Sequence, residues 1–160
     1  MVIVLIRSCT ERDQKYIVES HFRIYQEEYY FDDSFNIFIS ESIHNFMKNR
    51  NEEKENVWVI DSNGLLKGSI GIVKVSDDIA QLRWFLIEPD QRGRGLGKRL
   101  IQKAIEFSKD KNYKTIILWT NTSLYAARKL YESFGFNITE VKNSLLSNQE
   151  MVEEKWELKI

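Results

Sequence analysis

Four basic residues and three glycines share one short stretch of the chain, RGRGLGKR at residues 92–99. An apolar run at residues 82–87 precedes it, and apolar residues at helical spacing follow it. The first N–H groups of a helix have no intrahelical partner, and the helix dipole favours an anion beside them. Glycines let the backbone come close to that anion. The spacing predicts a phosphate-binding loop. A turn before an amphipathic helix with a solvated basic face is the alternative that the glycines alone leave open.

Two well-known phosphate loops do not fit this spacing. A P-loop has four residues between its glycines, followed by Lys and then Ser or Thr. Here three residues separate Gly93 from Gly97, and Arg99 stands where the hydroxyl residue belongs. A dinucleotide-binding fingerprint that begins at Gly93 would need its third glycine at position 98, which is Lys98.

The stretch resembles motif A of the GNAT superfamily of N-acetyltransferases. In that family a Gln or Arg, two residues, a Gly, one residue and a Gly or Ala follow in order, and Arg92, Gly95 and Gly97 hold those places. The preceding strand ends, as in the family, on an aliphatic residue, any residue and Pro, here residues 87–89. The resemblance implies that the backbone N–H of Ile87 or its neighbour donates to the thioester carbonyl. It also implies a binding loop for the pyrophosphate of acetyl-CoA, made of Arg92, Gly93, Arg94, Gly95, Leu96, Gly97 and Lys98.

A second resemblance lies further along the chain, at residues 130–136, LYESFGF. It matches the end of motif B, where a Tyr stands four residues before a Gly and an aromatic residue follows that Gly. The resemblance implies that Tyr131 is the general acid, with an ordinary core tyrosine as the alternative. Many relatives have an Asn seven residues before this Tyr, where it helps hold the coenzyme, but here that place is Leu124. Asn121 lies nearby and is the candidate replacement.

Residues 80–136 are also similar to the acetyltransferase half of bacterial proteins that fuse a MarR-type regulator to a GNAT domain. No winged-helix half is present in this sequence, so the DNA binding of those fusions does not carry over. The resemblance implies one α+β domain over residues 1–160, built as three α/β layers. Its centre is a mixed, mostly antiparallel sheet of about six or seven strands, flanked by about four helices.

The hydrophobic periodicity of the chain predicts where these elements lie. Strands are predicted at residues 2–6, 57–61, 66–75, 79–88, 115–120, 136–141 and 156–160. Helices are predicted after a start at residues 10–13, at 34–48, from Leu96 onward, and over 124–134 with capping by residues 121–123. A hairpin turn is predicted at residues 62–64 and a polar loop at 143–150.

The residues that would surround the acceptor are less clearly marked. An aromatic and acidic cluster at residues 27–33 could shape a pocket for a cationic amine, but a helix end with core aromatics and solvated acids is the favoured interpretation. His21 lies on an apolar stripe, which is typical of a core histidine rather than a catalytic base. A base that acts through water, Glu27 or Glu28, is a hypothesis.

Strand alternation places Gln81, Arg83, Phe85 and Ile87 on one face of the predicted strand and Glu88 on the other. An Arg83 that faced the cleft could grip a carboxylate or phosphate of the acceptor. A surface ion pair is the favoured alternative for Arg83.

The resemblance implies direct transfer of an acetyl group from acetyl-CoA, in a ternary complex, to the primary amine of a small molecule or peptide. A catalytically silent acyl-CoA-binding regulatory module is the alternative. The formal net charge of −1 argues against a nucleic-acid partner, and no apolar run is long enough to span a bilayer. Cys9 is the only cysteine, which fits a reducing cytoplasm. No metal site is predicted, and a homodimer could form through residues 136–141 or 156–160.

Overall fold

The computed structural model describes residues 3–160. Val2 of the predicted first strand lies outside the described residues. Seven strands are present, β1 (Val4–Ser8), β2 (Asn56–Ser62), β3 (Leu65–Lys74), β4 (Ile79–Ile87), β5 (Thr115–Asn121), β6 (Asn137–Leu146) and β7 (Gln149–Lys159). Four α-helices accompany them, α1 (Gln14–Tyr29), α2 (Asp33–Asn49), α3 (Leu96–Asp110) and α4 (Tyr125–Ser133). Short 3₁₀ turns precede α1 at Glu11–Asp13 and follow β4 at Pro89–Gln91.

One sheet contains all seven strands, in the order β1-β2-β3-β4-β5-β7-β6. Its neighbours are antiparallel except for β4 and β5, which run parallel. The predicted fold class, a mixed and mostly antiparallel sheet flanked by helices, is confirmed. The predicted hairpin turn is present, because Asn63 and Gly64 both have positive φ between β2 and β3.

Two apolar cores fill the spaces above and below the sheet. One face packs on α3, where Leu100, Ile101 and Ala104 are fully buried in a cluster that also includes Tyr131 of α4. The other face packs on α1 and α2 through residues such as Ile17 and Ile43. The amphipathic stripes of the helices therefore fix the three layers.

The predicted polar loop at residues 143–150 is wrong. β6 continues to Leu146, and β7 begins at Gln149. The two residues between them, Ser147 and Asn148, both have positive φ and form a tight hairpin turn. β6 is an edge strand whose residues are mostly exposed, so this segment lacks the alternation of buried apolar residues that marks a strand. The turn also lacks the glycine that usually announces such a hairpin.

Candidate active site

The loop before α3 presents unpaired backbone N–H groups to solvent. Gly93 and Gly95 adopt left-handed φ values of 80° and 77°. A residue with a side chain would be strained in this backbone conformation. The first bond of the helix runs from the Arg99 N–H to the Gly95 carbonyl, at 3.1 Å. No side chain caps the N–H groups that precede Arg99 in the helix. The helix start can therefore accept an anion, as the spacing of the glycines predicts.

Gly97 is required for close packing rather than for a left-handed backbone conformation. A Cβ atom on this residue would lie 3.0 Å from Leu130 Cδ1 and 3.3 Å from Phe85 Cζ. The missing side chain therefore lets the first turn of α3 approach α4 and β4 closely.

Arg92 bridges the mouth of the loop rather than pointing into open solvent. Its Nη1 lies 2.6 Å from Glu28 Oε1 of α1, and its Nε donates to the Ile87 carbonyl at 3.3 Å. Arg94 donates to Gln91 Oε1 at 3.3 Å. A bound pyrophosphate would therefore compete with Glu28 for the Arg92 guanidinium.

A bulge interrupts β4 at Trp84, whose φ of 51° is left-handed. The register with β3 shifts between Ser69 and Gly71 at this point. Ser69 Oγ donates to the Trp84 carbonyl at 2.6 Å and so satisfies a buried acceptor. A Cβ atom on Gly71 would lie 2.7 Å from Trp84 Cε3, so the indole fits only over a glycine. The bulge is thus a packed feature of the strand.

The bulge reverses the alternation of side chains along β4. Arg83 Nη2 donates to Ser42 Oγ of α2 at 2.7 Å, and the next residue, Trp84, also packs on α2, with its ring centroid 5.2 Å from that of Phe46. Phe85 and Ile87 instead pack against the core on the α3 side. The prediction that Gln81, Arg83, Phe85 and Ile87 share one face is therefore wrong. No glycine or proline marks the bulged residue, and strict alternation carries no sign of it.

β4 and β5 separate soon after they meet, because their pairing extends only from Ile79 to Gln81 on β4. The Glu88 N–H donates to the Lys67 carbonyl of the strand preceding β4, at 2.9 Å. Since backbone groups alternate along a strand, the Ile87 N–H points the other way, into the gap between β4 and β5. A donor for a thioester carbonyl is thus available where the family resemblance expects it.

A cleft of about 730 Å³ occupies this gap. The loop residues Arg92, Gly93, Gly95, Leu96, Gly97 and Lys98 line one end of it, and Ile87 lines its wall. The rest of the lining comes from α1, α2 and the strands β4, β5 and β7, through residues that include His21, Tyr25, Tyr29, Phe35, Phe38, Arg83, Trp119 and Glu153. The cleft therefore joins the phosphate loop to a largely aromatic chamber.

Tyr131 lies in the wall between these two ends. Its ring centroid is 6.1 Å from that of Phe85, 5.8 Å from that of Phe136 and 6.1 Å from that of Trp156. Burial, and to a lesser degree Tyr25, raises the pKa of Tyr131 well above its ordinary value. The phenol is therefore protonated at neutral pH and can donate a proton or a hydrogen bond.

Asn121 does not line the cleft. Its Oδ1 accepts the Ser123 N–H at 3.0 Å and the Ser123 hydroxyl, so the side chain forms a local turn. Leu124 is the N-cap residue of α4, with no side-chain bond, which contradicts capping by residues 121–123. Leu124 itself lines the cleft. Contact with the coenzyme at this end would thus be apolar.

Two glutamates near the cleft, Glu88 and the candidate base Glu28, are engaged in ion pairs. Glu88 accepts the Tyr16 hydroxyl at 2.8 Å and two Arg23 nitrogens at 2.9 and 3.0 Å, which ties β4 to α1. Glu28 is paired with Arg92. These carboxylates hold the scaffold together.

His21 is buried, with its Nδ1 2.7 Å from the Ile17 carbonyl. That bond fixes the proton on Nδ1, because a carbonyl oxygen only accepts. Burial lowers the pKa of His21 to about 4. The ring is therefore neutral and weakly basic, in line with its interpretation as a core histidine.

Glu153 is the residue that sequence analysis missed. Of the carboxylates in residues 3–160, it alone contributes to the lining of the cleft. Its side chain is 23% exposed and lies 3.8 Å from Lys142 Nζ. It falls in β7, within a segment that the sequence did not assign to a strand. Residues 151–155, MVEEK, do not alternate between apolar and polar side chains, so the sequence carries no strand signal there.

The tip of the β6–β7 hairpin is clasped to the connection between α1 and α2. Asp32 accepts the Ser147 hydroxyl at 2.8 Å and the Asn148 amide at 2.6 Å. The Gln149 amide donates to the carbonyls of Tyr29 and Tyr30, at 3.0 and 2.8 Å. Through this clasp the hairpin brings Leu146 into the wall of the cleft.

Comparison with known proteins matches residues 16–136 to the model of the Acetyltransferase (GNAT) family. The chain belongs to this family. N-acetyltransferase family 8 member 3 of Rattus norvegicus is 31% identical over 87 residues, which are 51% of this chain and 38% of that protein. The chain thus spans well under two thirds of that curated relative. Within residues 3–160 no helix is long and apolar enough to cross a membrane.

Solved structures of the family share the fold over nearly the whole chain. A GNAT acetyltransferase from Staphylococcus aureus has a TM-score of 0.81 at 18% identity, covering 98% of this chain and 99% of that one. A Salmonella typhimurium protein solved with its cofactor acetyl-CoA has a TM-score of 0.77 at 17% identity, covering 98% and 93%. At these identities the likeness extends to the fold alone.

Proposed function

We propose that this GNAT protein is an acetyl-CoA-dependent N-acetyltransferase that acts on the primary amine of a small molecule or peptide. The observation that carries the proposal is the cleft between β4 and β5. It joins a loop rich in free N–H groups to a buried tyrosine and a carboxylate. Family membership supports the same activity.

The coenzyme fits the residues present at the loop end of the cleft. Its pyrophosphate would meet the N–H groups of Gly93, Gly95 and the first turn of α3, with Arg92, Arg94 and Lys98 supplying positive charge. Leu124 and Leu130 offer apolar contact for the pantetheine arm. When bound, the coenzyme supplies the acetyl thioester.

Three groups of this chain meet the demands of acyl transfer. The amine must lose a proton, and Glu153 is the carboxylate placed to accept it, directly or through water. The Ile87 N–H donates a hydrogen bond that stabilises the negative charge developing on the thioester oxygen. The departing thiolate takes a proton from the Tyr131 hydroxyl, which is protonated at neutral pH, and water reprotonates the phenolate. Amine nitrogen replaces sulfur on the acetyl carbon, so the acetyl group never resides on the protein.

Direct transfer is favoured over an acetylated cysteine. Cys9 is the only cysteine of the chain. It is buried, and burial raises its pKa to about 11, so almost no thiolate exists at neutral pH. We expect intersecting initial-velocity lines and no acetyl adduct in the intact mass after incubation with acetyl-CoA. Parallel lines or a stable adduct would contradict direct transfer.

Release of coenzyme A thiol, measured over a panel of amines, tests the function itself. Turnover that depends on the amine supports the transferase. Tight binding of acetyl-CoA without turnover of any amine would favour the silent acyl-CoA-binding module. A cytoplasmic location remains part of the proposal.

We propose that a homodimer forms by pairing of β6 with β6 of a second copy. β7 lies between β5 and β6, and β6 pairs with it as far as Glu157, so most of its length is hydrogen-bonded on both edges. β6 is the edge strand and exposes Val141 and Leu145. Sedimentation of the wild type beside Val141→Lys tests this pairing. A mass that stays monomeric at all concentrations contradicts it.

A further inference from the structure

We propose that the acceptor is a small zwitterionic amine, whose carboxylate binds Arg83 and whose amino group faces Glu153. The inference rests on the proposed transferase function and specifies its substrate class.

Arg83 is held in place with most of its donors free. Its Nη2 donates to Ser42 Oγ of α2 at 2.7 Å, and its guanidinium carbon lies 4.6 Å from the centre of the Trp84 ring. A guanidinium has five N–H donors, and the hydrogen bond to Ser42 uses one of them. Arg83 lines both the cleft and an adjoining cavity of about 480 Å³. The remaining donors can therefore receive a ligand.

Arg83 has no counter-ion among the described residues. No carboxylate oxygen of residues 3–160 lies within 4.0 Å of it, so the predicted surface ion pair is absent. Four arginines, Arg7, Arg23, Arg92 and Arg128, have a carboxylate partner within 3.0 Å. The other arginines of residues 3–160 also lack a carboxylate partner, but Arg83 is the one among these unpaired arginines that lines the cleft. Burial lowers the pKa of Arg83. A partly desolvated cation without a partner is unfavourable, and an anionic ligand removes that penalty.

The acceptor chamber carries one charge of each sign on its walls. Arg83 supplies the cation and Glu153 the anion, while much of the rest is aromatic or aliphatic, including Tyr25, Tyr29, Phe35, Phe38 and Ile39. A molecule with one carboxylate and one amine matches both charges. A single guanidinium suits a planar, singly charged carboxylate, which it binds through two parallel N–H groups.

The hairpin clasp favours a small acceptor over a protein. The bonds of Asp32 and Gln149 tie the hairpin tip to the α1–α2 connection, beside the chamber that Leu146 helps to close. An amino acid or a related amino carboxylate fits such a chamber without opening the clasp.

The test compares matched acceptors that differ only in the carboxylate. The twenty common amino acids are assayed beside their carboxamides, by release of coenzyme A thiol, with wild type, Arg83→Gln and Arg83→Lys. Arg12→Gln is the matched control, because Arg12 is exposed and does not line the cleft. Calorimetric binding of acetyl-CoA and thermal unfolding are measured for every variant.

We expect at least one amino acid to exceed its carboxamide in kcat/KM by about tenfold or more. Arg83→Gln should abolish that difference by raising KM for the amino acid, while leaving acetyl-CoA binding unchanged. Arg83→Lys should restore part of the difference, and Arg12→Gln should keep all of it.

Two results would overturn the inference while leaving the transferase intact. In the first, acetyl-CoA binds but carboxamides or the polyamine spermidine are the better acceptors, or no amino acid reacts. In the second, Arg83→Gln folds and keeps the preference for the carboxylate. Failure of acetyl-CoA to bind any variant, wild type included, would instead overturn the proposed function and this inference with it.

Discussion

At the scale of single residues, the proposed acetyl transfer depends on three groups that line one cleft: a buried phenol, a carboxylate and a backbone N–H. Tyr131 and Ile87 follow from the motifs of the sequence, because fixed spacing to glycine and proline marks both. Glu153 does not, because no local sequence pattern distinguishes a catalytic glutamate from a solvent-exposed one in a segment without an assigned strand or helix. Its role becomes visible only when the sheet brings β7 beside β5.

Tyr131→Phe removes the proposed acid and leaves the ring in place. We expect kcat to fall by roughly 10²-fold, because protonation of the leaving thiolate is lost. Binding of acetyl-CoA should be unchanged in calorimetry. Tyr125→Phe is the matched control, since Tyr125 lies in the same helix and is 69% exposed. Equal rates for Tyr131→Phe and the control would remove Tyr131 from the mechanism.

Glu153→Gln removes the proposed base. At neutral pH we expect kcat/KM to fall by roughly 10²-fold, because only the small neutral fraction of the amine can react unaided. The deficit should shrink as the pH rises toward the pKa of the amine, near roughly 10.4 for a lysine-like group. The pH–rate profile is the readout, with exposed Glu150→Gln as the control. A deficit that is constant with pH would speak against a base.

At the scale of elements, the bulge in β4 and the hairpin clasp shape the cleft, and neither was predicted from the sequence. Periodicity located nearly every helix and strand, because buried faces repeat at fixed spacing. It failed at Trp84, where one left-handed residue reverses the alternation, and at β6, where an exposed edge strand has no apolar face to reveal it. Both failures lie where tertiary contacts override the local pattern. Gly71 under the Trp84 indole is an example.

Ser69→Ala tests how the bulge is held. The change leaves the buried Trp84 carbonyl without the hydroxyl that donates to it. We expect the free energy of unfolding to fall by about 1–3 kcal/mol, the usual cost of an unsatisfied buried polar group. Urea denaturation measures it, and Ser40→Ala, at an exposed position of α2, should change stability by less than about 0.5 kcal/mol. Equal stability of the two variants would show that Ser69 does not support the bulge.

The hairpin clasp should show as a pH dependence of stability. Hydrogen bonds from Ser34, Ser147 and Asn148 lower the pKa of Asp32 from 3.8 to about 2. A lowered folded-state pKa gives stability that is complete above the unfolded value and lost as the pH falls through the folded value. The Tm difference between wild type and Asp32→Asn should thus be full above pH 4, shrink as the pH falls, and vanish below pH 2. Asp33→Asn, at an exposed neighbouring carboxylate, is the control. A difference independent of pH would contradict the clasp.

At the scale of the whole molecule, the fold was predictable because two ordered motifs fix the family, and the family fixes the sheet. That residues 1–160 form one domain stays a prediction. The acceptor chamber was not predictable, since its walls come from α1, α2, β4, β5 and β7, which only the folded chain brings together. The sequence thus specified the coenzyme end of the cleft far better than the acceptor end.

Acetyl-CoA should bind at the loop of residues 92–99, and calorimetric titration measures this binding. The titration compares wild type with Gly95→Glu and Gly64→Glu. Both glycines have positive φ, and a Cβ atom added to either would meet no atom within 4 Å, so the strain is matched and only Gly95 lies in the loop. We expect roughly micromolar binding by wild type and Gly64→Glu and none by Gly95→Glu. Equal binding by all three, or binding by none, would contradict binding at this loop.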